Sequence, residues 1–219
     1  MASDGKEGQS SNAEAMSARR HAILAAADEL LAENGLDGLT IRAVLAHTGL
    51  ARRAFYDVFA TKDDLVLALF EKTLADAAEQ LEAAGRDLAG PSERLALVIQ
   101  SIVLAGGEDR ELARRDRRSA AFSLEHLRLA QARPDQLQLA IKPLVDLIRR
   151  IIDQGIEIGV WQVCDSGRAA RFVYNLVSTN VHTEMLQPGS KRLSPAERQS
   201  LSEQTIRFCQ GALVGTHSD

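Results

Sequence analysis

Between Thr40 and Tyr56 the chain carries three arginines, Arg42, Arg52 and Arg53, and no aspartate or glutamate. Thr40, Tyr56, Thr61 and Lys62 lie in or beside the same stretch and add hydroxyl groups and an ammonium. Guanidinium, ammonium and hydroxyl groups are the donors that bind phosphate oxygens, and arginine also reads the O6 and N7 edge of guanine. The protein as a whole has a formal net charge of −4. An acid-free cationic surface on an acidic protein points to a polyanionic partner, and its arrangement suggests a helix-turn-helix that docks on double-stranded DNA.

Other chemistry has no set of residues to carry it. There is no glycine-rich phosphate loop, no nucleophile elbow and no cluster of His and Cys. The histidines lack the spacing of a metal site. Cys164 and Cys209 stand far apart, with no partner spacing, and suit a reducing cytoplasm. The expectation is a cytoplasmic binding protein, not an enzyme, with no cofactor and no metal. No run approaches the ~18 apolar residues of a membrane span, and MASDGKEGQSSNAEAM has no apolar core of a signal peptide.

The elements that must hold the cationic stretch read as helices throughout. Aromatics make up 4% of the 219 residues, hydrophobic residues 45%, and only five prolines interrupt the chain. That composition predicts an all-α protein. Residues 1–17, rich in Ser, Gly and Ala, read as a flexible tail, and residues 18–62 as a helix-turn-helix domain. Ile23, Ala26, Ala27, Leu30 and Leu31 form the stripe of its first helix, which Gly35 ends. Thr40 caps a second helix over about 41–47, Gly49 supplies the turn, and a third runs over about 52–58. That third helix turns Phe55 and Phe59 inward and leaves Arg52, Arg53 and Tyr56 outward. Thr61 and Asp64 make a capping box for a long fourth helix.

Residues 63–219 read as an effector-binding and dimerisation domain of further helices, with breaks at Gly85, Gly90-Pro91 and Gly106-Gly107. Pro143 falls inside one of them and is expected to kink or split it. The last two long helices, about 167–186 and 194–214, carry apolar stripes that suit a four-helix bundle with a second copy. Phe122, His126, Trp161, Tyr174 and Asn175, with His182, are polar or aromatic residues amid apolar stripes. They are the candidates to contact a small-molecule effector, with core or interface packing as the plainer role for each. The run Arg114-Arg115-Asp116-Arg117-Arg118 reads as a charged helix face, the alternative being one arginine turned inward to hold an anionic effector.

The stretch from Arg20 to Leu74 resembles the DNA-binding region of TetR-family transcriptional regulators. The resemblance rests on Asn34-Gly35, Thr40-Ile41-Arg42, Gly49, Phe55-Tyr56, Phe59, Lys62 and Leu65 at fixed spacings. It implies that Thr40 contacts a phosphate, that Arg42 reaches a base edge or the backbone, and that Arg52 opens the recognition helix near the phosphates. It also implies that the Tyr56 hydroxyl and Lys62 each meet a phosphate, and that Thr61 donates at the start of the fourth helix. Three positions depart from the family pattern. Ala51 replaces a capping Ser or Thr, Arg53 replaces a small residue or proline, and Leu45 replaces an alanine. The family further implies a dimer on a palindromic operator, usually as a repressor, with an effector acting through the fourth helix. Two other readings stay open: a ligand-binding protein or enzyme with a vestigial helix-turn-helix, and a protein-docking module.

Overall fold

A computed structural model describes residues 4–104, 110–188 and 192–215, and among these residues all regular secondary structure is helical. In chain order the helices are α1 (Asp4–Gly38), α2 (Ile41–Thr48), α3 (Arg52–Tyr56), α4 (Lys62–Ala84), α5 (Pro91–Val103), α6 (Arg110–Ala132), α7 (Pro134–Glu157), α8 (Ser166–Met185) and α9 (Pro195–Leu213). The protein is therefore all-α. It divides into two compact units, Met1–Phe70 and Glu71–Asp219, with the boundary inside α4. The Gly106-Gly107 break lies outside the described residues.

In the first unit α1 supplies the floor on which α2 and α3 rest. Ile23, Leu24, Ala26, Ala27 and Leu31 are buried along one side of it. The backbone leaves helical geometry at Gly35. The helix begins at Asp4, well upstream of Ala18, where the tail was expected to end. The first seventeen residues contain no proline, and a helix already nucleated by the Ile23–Leu31 stripe extends backward one hydrogen bond per residue. Residues 12–18 of that extension are exposed.

α2 is bounded as its sequence requires. The Thr40 hydroxyl oxygen accepts the Ala43 N–H at 3.1 Å. At the other end Gly49 lies at φ 68°, ψ 9°, and its N–H donates to the Leu45 carbonyl at 3.0 Å. A side chain at that φ costs about 1–2 kcal/mol, so glycine sets the angle between α2 and α3. α3 is shorter than the sequence suggests, ending at Tyr56 rather than Val58. The chain tightens there, with Phe59 N–H on the Phe55 carbonyl at 2.9 Å. The turn brings the Phe59 ring 5.9 Å from that of Phe55, and both are buried. Burying Phe59 decides where α3 stops.

In the second unit α7 carries the longest buried stripe, from Leu137 through Ile141, Leu144 and Ile148 to Ile152. α7 packs on α5 and α8, and α9 packs on α5. Pro143 neither splits α7 nor ends it. The carbonyl that loses a partner belongs to Leu139, an exposed residue. Outside the cores, Arg150 pairs with Glu82 at 3.0 Å, and Gln210 donates to the Ser92 carbonyl at 2.8 Å. After α7 the Gly155 carbonyl accepts from both Val160 and Trp161, at 2.8 and 3.1 Å. This folds the Trp161 ring down on Gly155, where a Cβ would lie 2.1 Å from a ring carbon.

Candidate functional site

α2 and α3 carry exposed cationic side chains. Arg42, one residue into α2, and Arg52 and Arg53, at the start of α3, are all exposed. The Arg52 guanidinium lies 5.7 Å from the centre of the Tyr56 ring and donates to its hydroxyl at 3.4 Å. Tyr56 is 44% exposed, while Phe55 beside it is fully buried, edge-on to it at 5.5 Å. The aromatic pair thus anchors α3 through one ring and offers a hydroxyl through the other. Ala51 makes no side-chain cap, so the first N–H groups of α3 have no side-chain acceptor there. With two arginines beside them, those donors favour an anion.

Two of the expected phosphate ligands are differently placed. Thr61 gives its N–H and its hydroxyl to the same Asp64 oxygen, at 3.0 and 2.8 Å, and accepts the Asp64 N–H at 3.1 Å. The capping box expected of Thr61 and Asp64 therefore forms, and within it both Thr61 donors are engaged. The Lys62 ammonium donates to the Leu36 carbonyl at 3.1 Å, tying α4 to the end of α1. An ammonium has three donors, so this bond leaves Lys62 able to meet a phosphate as well. The Thr40 hydroxyl accepts its capping bond and keeps its proton to donate. Thr61 and Thr40 both precede helices. The difference is Asp64, three residues on.

The effector candidates are divided among several places. His126 on α6 meets Tyr174 on α8, with Nδ1 3.4 Å from the hydroxyl. His182, about two turns further along α8, has its ring centre 4.5 Å from that of His126, the two planes tilted by 51°. Phe122 lies one turn before His126 on α6, with the Arg118 guanidinium 5.9 Å from its ring centre. Arg118 also donates to Thr73 at 3.5 Å. It lines a cavity of about 620 Å³ with Gln80, Gln100, Ser101 and Phe122. Arg118, a member of the arginine run, is half-buried there. Asn175 is exposed and holds Ser178 through its carbonyl. Trp161 is 1% exposed on Gly155. Neither joins the His126–Tyr174 cluster in any contact described. Missed in the sequence were Thr73, Gln80 and Gln100, ordinary polar residues with no signal of their own.

Burial pushes the His182 ring down to about 4 from its ordinary 6.5, and the neighbouring His126 adds to the effect. Burial lowers His126 too. The unfolded chain therefore takes up a proton near pH 6.5 that native His182 refuses until about pH 4. Stability contributed by this group is complete above that window and falls as pH drops through it. Urea melts between pH 7 and 4 should show a shallower slope for His182→Phe than for the natural protein. Parallel curves would place the ring in water.

On α8 and α9 an apolar groove of about 440 Å³ lies open, bounded by Val173, Leu176, Cys209 and Leu213. Phe172 and Phe208 rim it at 66% and 67% exposure. Phe172 is part of a face turned away from the chain's own core. Among the described residues no group of three or more His, Cys, Asp or Glu side chains could hold a metal, and no helix is long and apolar enough to cross a membrane.

Comparison with known proteins gives the arrangement a context. Residues 23–69 match the family model of bacterial regulatory proteins of the tetR family. The chain is 26% identical, over 74% of its length and 80% of the relative's, to the fatty acid metabolism regulator protein of Bacillus subtilis (strain 168). It is 37% identical over 67 residues, 29% of this chain and 34% of the relative, to the HTH-type transcriptional regulator YezE of the same organism. Among solved structures, FadR of Bacillus subtilis in complex with stearoyl-CoA has a TM-score of 0.65 at 22% identity, covering 90% of this chain and 99% of that one. RolR in complex with resorcinol has a TM-score of 0.67 at 17% identity, covering 94% and 98%. Likenesses at these identities are likenesses of fold.

Proposed function

We propose, for a chain that belongs to the TetR family of bacterial regulatory proteins, that it represses transcription by binding a palindromic operator as a homodimer and is released by a small molecule. The observation that carries this reading is that Arg42, Arg52, Arg53 and Tyr56 are all exposed on α2 and α3, in a stretch with no acid between Thr40 and Tyr56. Thr40, Arg42, Arg52, Tyr56 and Lys62 are its phosphate and backbone ligands, and Arg53 is its reader of bases. A helix as short as α3 covers few base pairs, so two copies are needed. The open α8–α9 groove with its exposed phenylalanines supports self-association at that face.

The second unit is the place for the effector, and α4, unbroken from Lys62 to Ala84, is the element that would carry its influence toward the DNA-binding residues. Such an effector acts only by binding the two states unequally. Relatives do not set its class: the ligands in the FadR and RolR structures are stearoyl-CoA and resorcinol, which share little chemistry. The protein acts on this reading by binding alone, without catalysis, in the cytoplasm where its DNA lies.

Selection of bound fragments from genomic DNA tests the reading. The expected product is a palindromic motif whose half-sites lie about 34–36 Å apart, or a multiple of that. Light scattering of the free protein should give the mass of a dimer. Fragments without a common motif would leave only non-specific binding and defeat the assignment.

A further inference from the structure

We propose that His182, together with His126 and Tyr174, forms the hydrogen-bonding end of the effector site, and that this site takes an uncharged molecule whose apolar body ends in a hydroxyl group. The site deepens the regulatory reading above, on which it rests.

Both ring nitrogens of His182 are enclosed and have no hydrogen-bond partner among the described residues. A neutral imidazole carries one donor and one acceptor. Leaving such a group enclosed and unmatched is costly, because it forfeits its hydrogen bonds to water and gains none in return. A hydroxyl group is the smallest complement: it donates to the bare nitrogen and accepts from an N–H. His126 lies beside the ring, 4.5 Å between centres, and is itself joined to Tyr174 at 3.4 Å.

An opening of about 370 Å³ adjoins His182 and is lined also by Leu127, Thr179, Thr183, Leu186 and Gln187. Thr179, His182, Thr183 and Leu186 follow one another at the spacing that puts them on a single face of α8. Leu127 and Leu186 are exposed in the empty protein and would be covered by the ligand's apolar body. Burial keeps both imidazoles neutral at pH 7, so they offer no net charge to hold a carboxylate or phosphate. The buried acids of α6 and α8 are engaged elsewhere and offer nothing to an amine. Glu125 accepts two bonds from Arg128, at 2.8 and 2.7 Å, and Glu184 accepts the Leu193 N–H at 2.7 Å. An anionic ligand belongs instead with Arg118, in the separate cavity of α4, α5 and α6.

Calorimetry at pH 7.5 with 4-butylphenol, 4-butylbenzoate and butylbenzene separates these cases. The phenol should bind the full chain roughly tenfold more tightly than the other two, about the worth of one well-made hydrogen bond. His182→Phe, which keeps the ring volume and removes both polar atoms, should reduce that preference to about twofold or less. His182→Gln, which keeps a donor and an acceptor, should retain part of it. Equal or tighter binding of the benzoate, an unchanged preference in His182→Phe, or no binding of any of the three would overturn the site. A gel shift on the selected operator reports separately on the regulatory reading. Operator binding without His182-dependent phenol binding removes this site alone, and His182-dependent phenol binding without any specific DNA binding removes the regulator.

Discussion

Alanine at both Arg52 and Arg53 is expected to weaken operator binding by at least about a hundredfold, with the fold left intact. Each arginine that meets a base edge or phosphate contributes about 1–3 kcal/mol, and a dimer loses every contact twice. Loss of phosphate contacts should also flatten the salt dependence, by about one unit of slope for each contact removed. Both side chains are exposed, so the melting curve should shift by no more than about 0.5 kcal/mol. The single variants should differ. Arg52 is braced against Tyr56 by its ring and its hydroxyl, so Arg52→Ala also frees the tyrosine and should weaken binding to all sequences alike. On the proposed reading Arg53 meets a base edge, and Arg53→Ala should relax preference at one operator position. Titration of labelled operator at several salt concentrations measures both. Undiminished affinity in the double variant would remove α3 from the DNA interface.

Trp161→Ala is expected to remove about 3–5 kcal/mol of stability, the largest loss from a single truncation in the second unit. The ring is 1% exposed and seated on Gly155, whose carbonyl holds the turn that positions it. The Trp161 segment is also tied onward, with Gln162 N–H on the Leu213 carbonyl of α9 at 2.9 Å. The ring's seat can be tested from the other side. Gly155→Ala places a carbon 2.1 Å from the ring, which must move away, at a cost of about 1–3 kcal/mol. A fall in melting temperature of more than about 6 °C is expected for Trp161→Ala. A fall of only a degree or two would mean that the ring does not close the core, and would return Trp161 to the candidates for ligand contact.

The DNA-reading unit was largely legible in the sequence because its determinants are local. A cap acts on a residue three positions away, a turn glycine acts on its own φ, and the facing of a helix follows from its period. Thr40, Gly49 and the inward Phe55 and Phe59 each stand as those rules require. Where local rules competed, the sequence was ambiguous. The extension of α1 back to Asp4 lay hidden in a Ser- and Gly-rich composition. The end of α3 was decided by the burial of Phe59.

The second unit shows the other limit. Its residue types named Phe122, His126, Trp161, Tyr174 and Asn175 without distinction, since each is a polar or aromatic residue on an apolar background. Packing then treated them differently, setting His126 against Tyr174, 48 positions away, burying Trp161 on a glycine, and leaving Asn175 in water. Arg118 reached Thr73 across 45 positions, and Lys62 reached Leu36 across 26. The amino-acid order alone was enough for the all-helical class, the caps and turns of α2 and α4, and the acid-free arginine surface, because those depend on neighbours within about one helical turn. Which arginine meets Thr73, which ring fills the core and which imidazole is left with both nitrogens unmatched depend on helices meeting from distant parts of the chain. No spacing within one helix encodes that meeting.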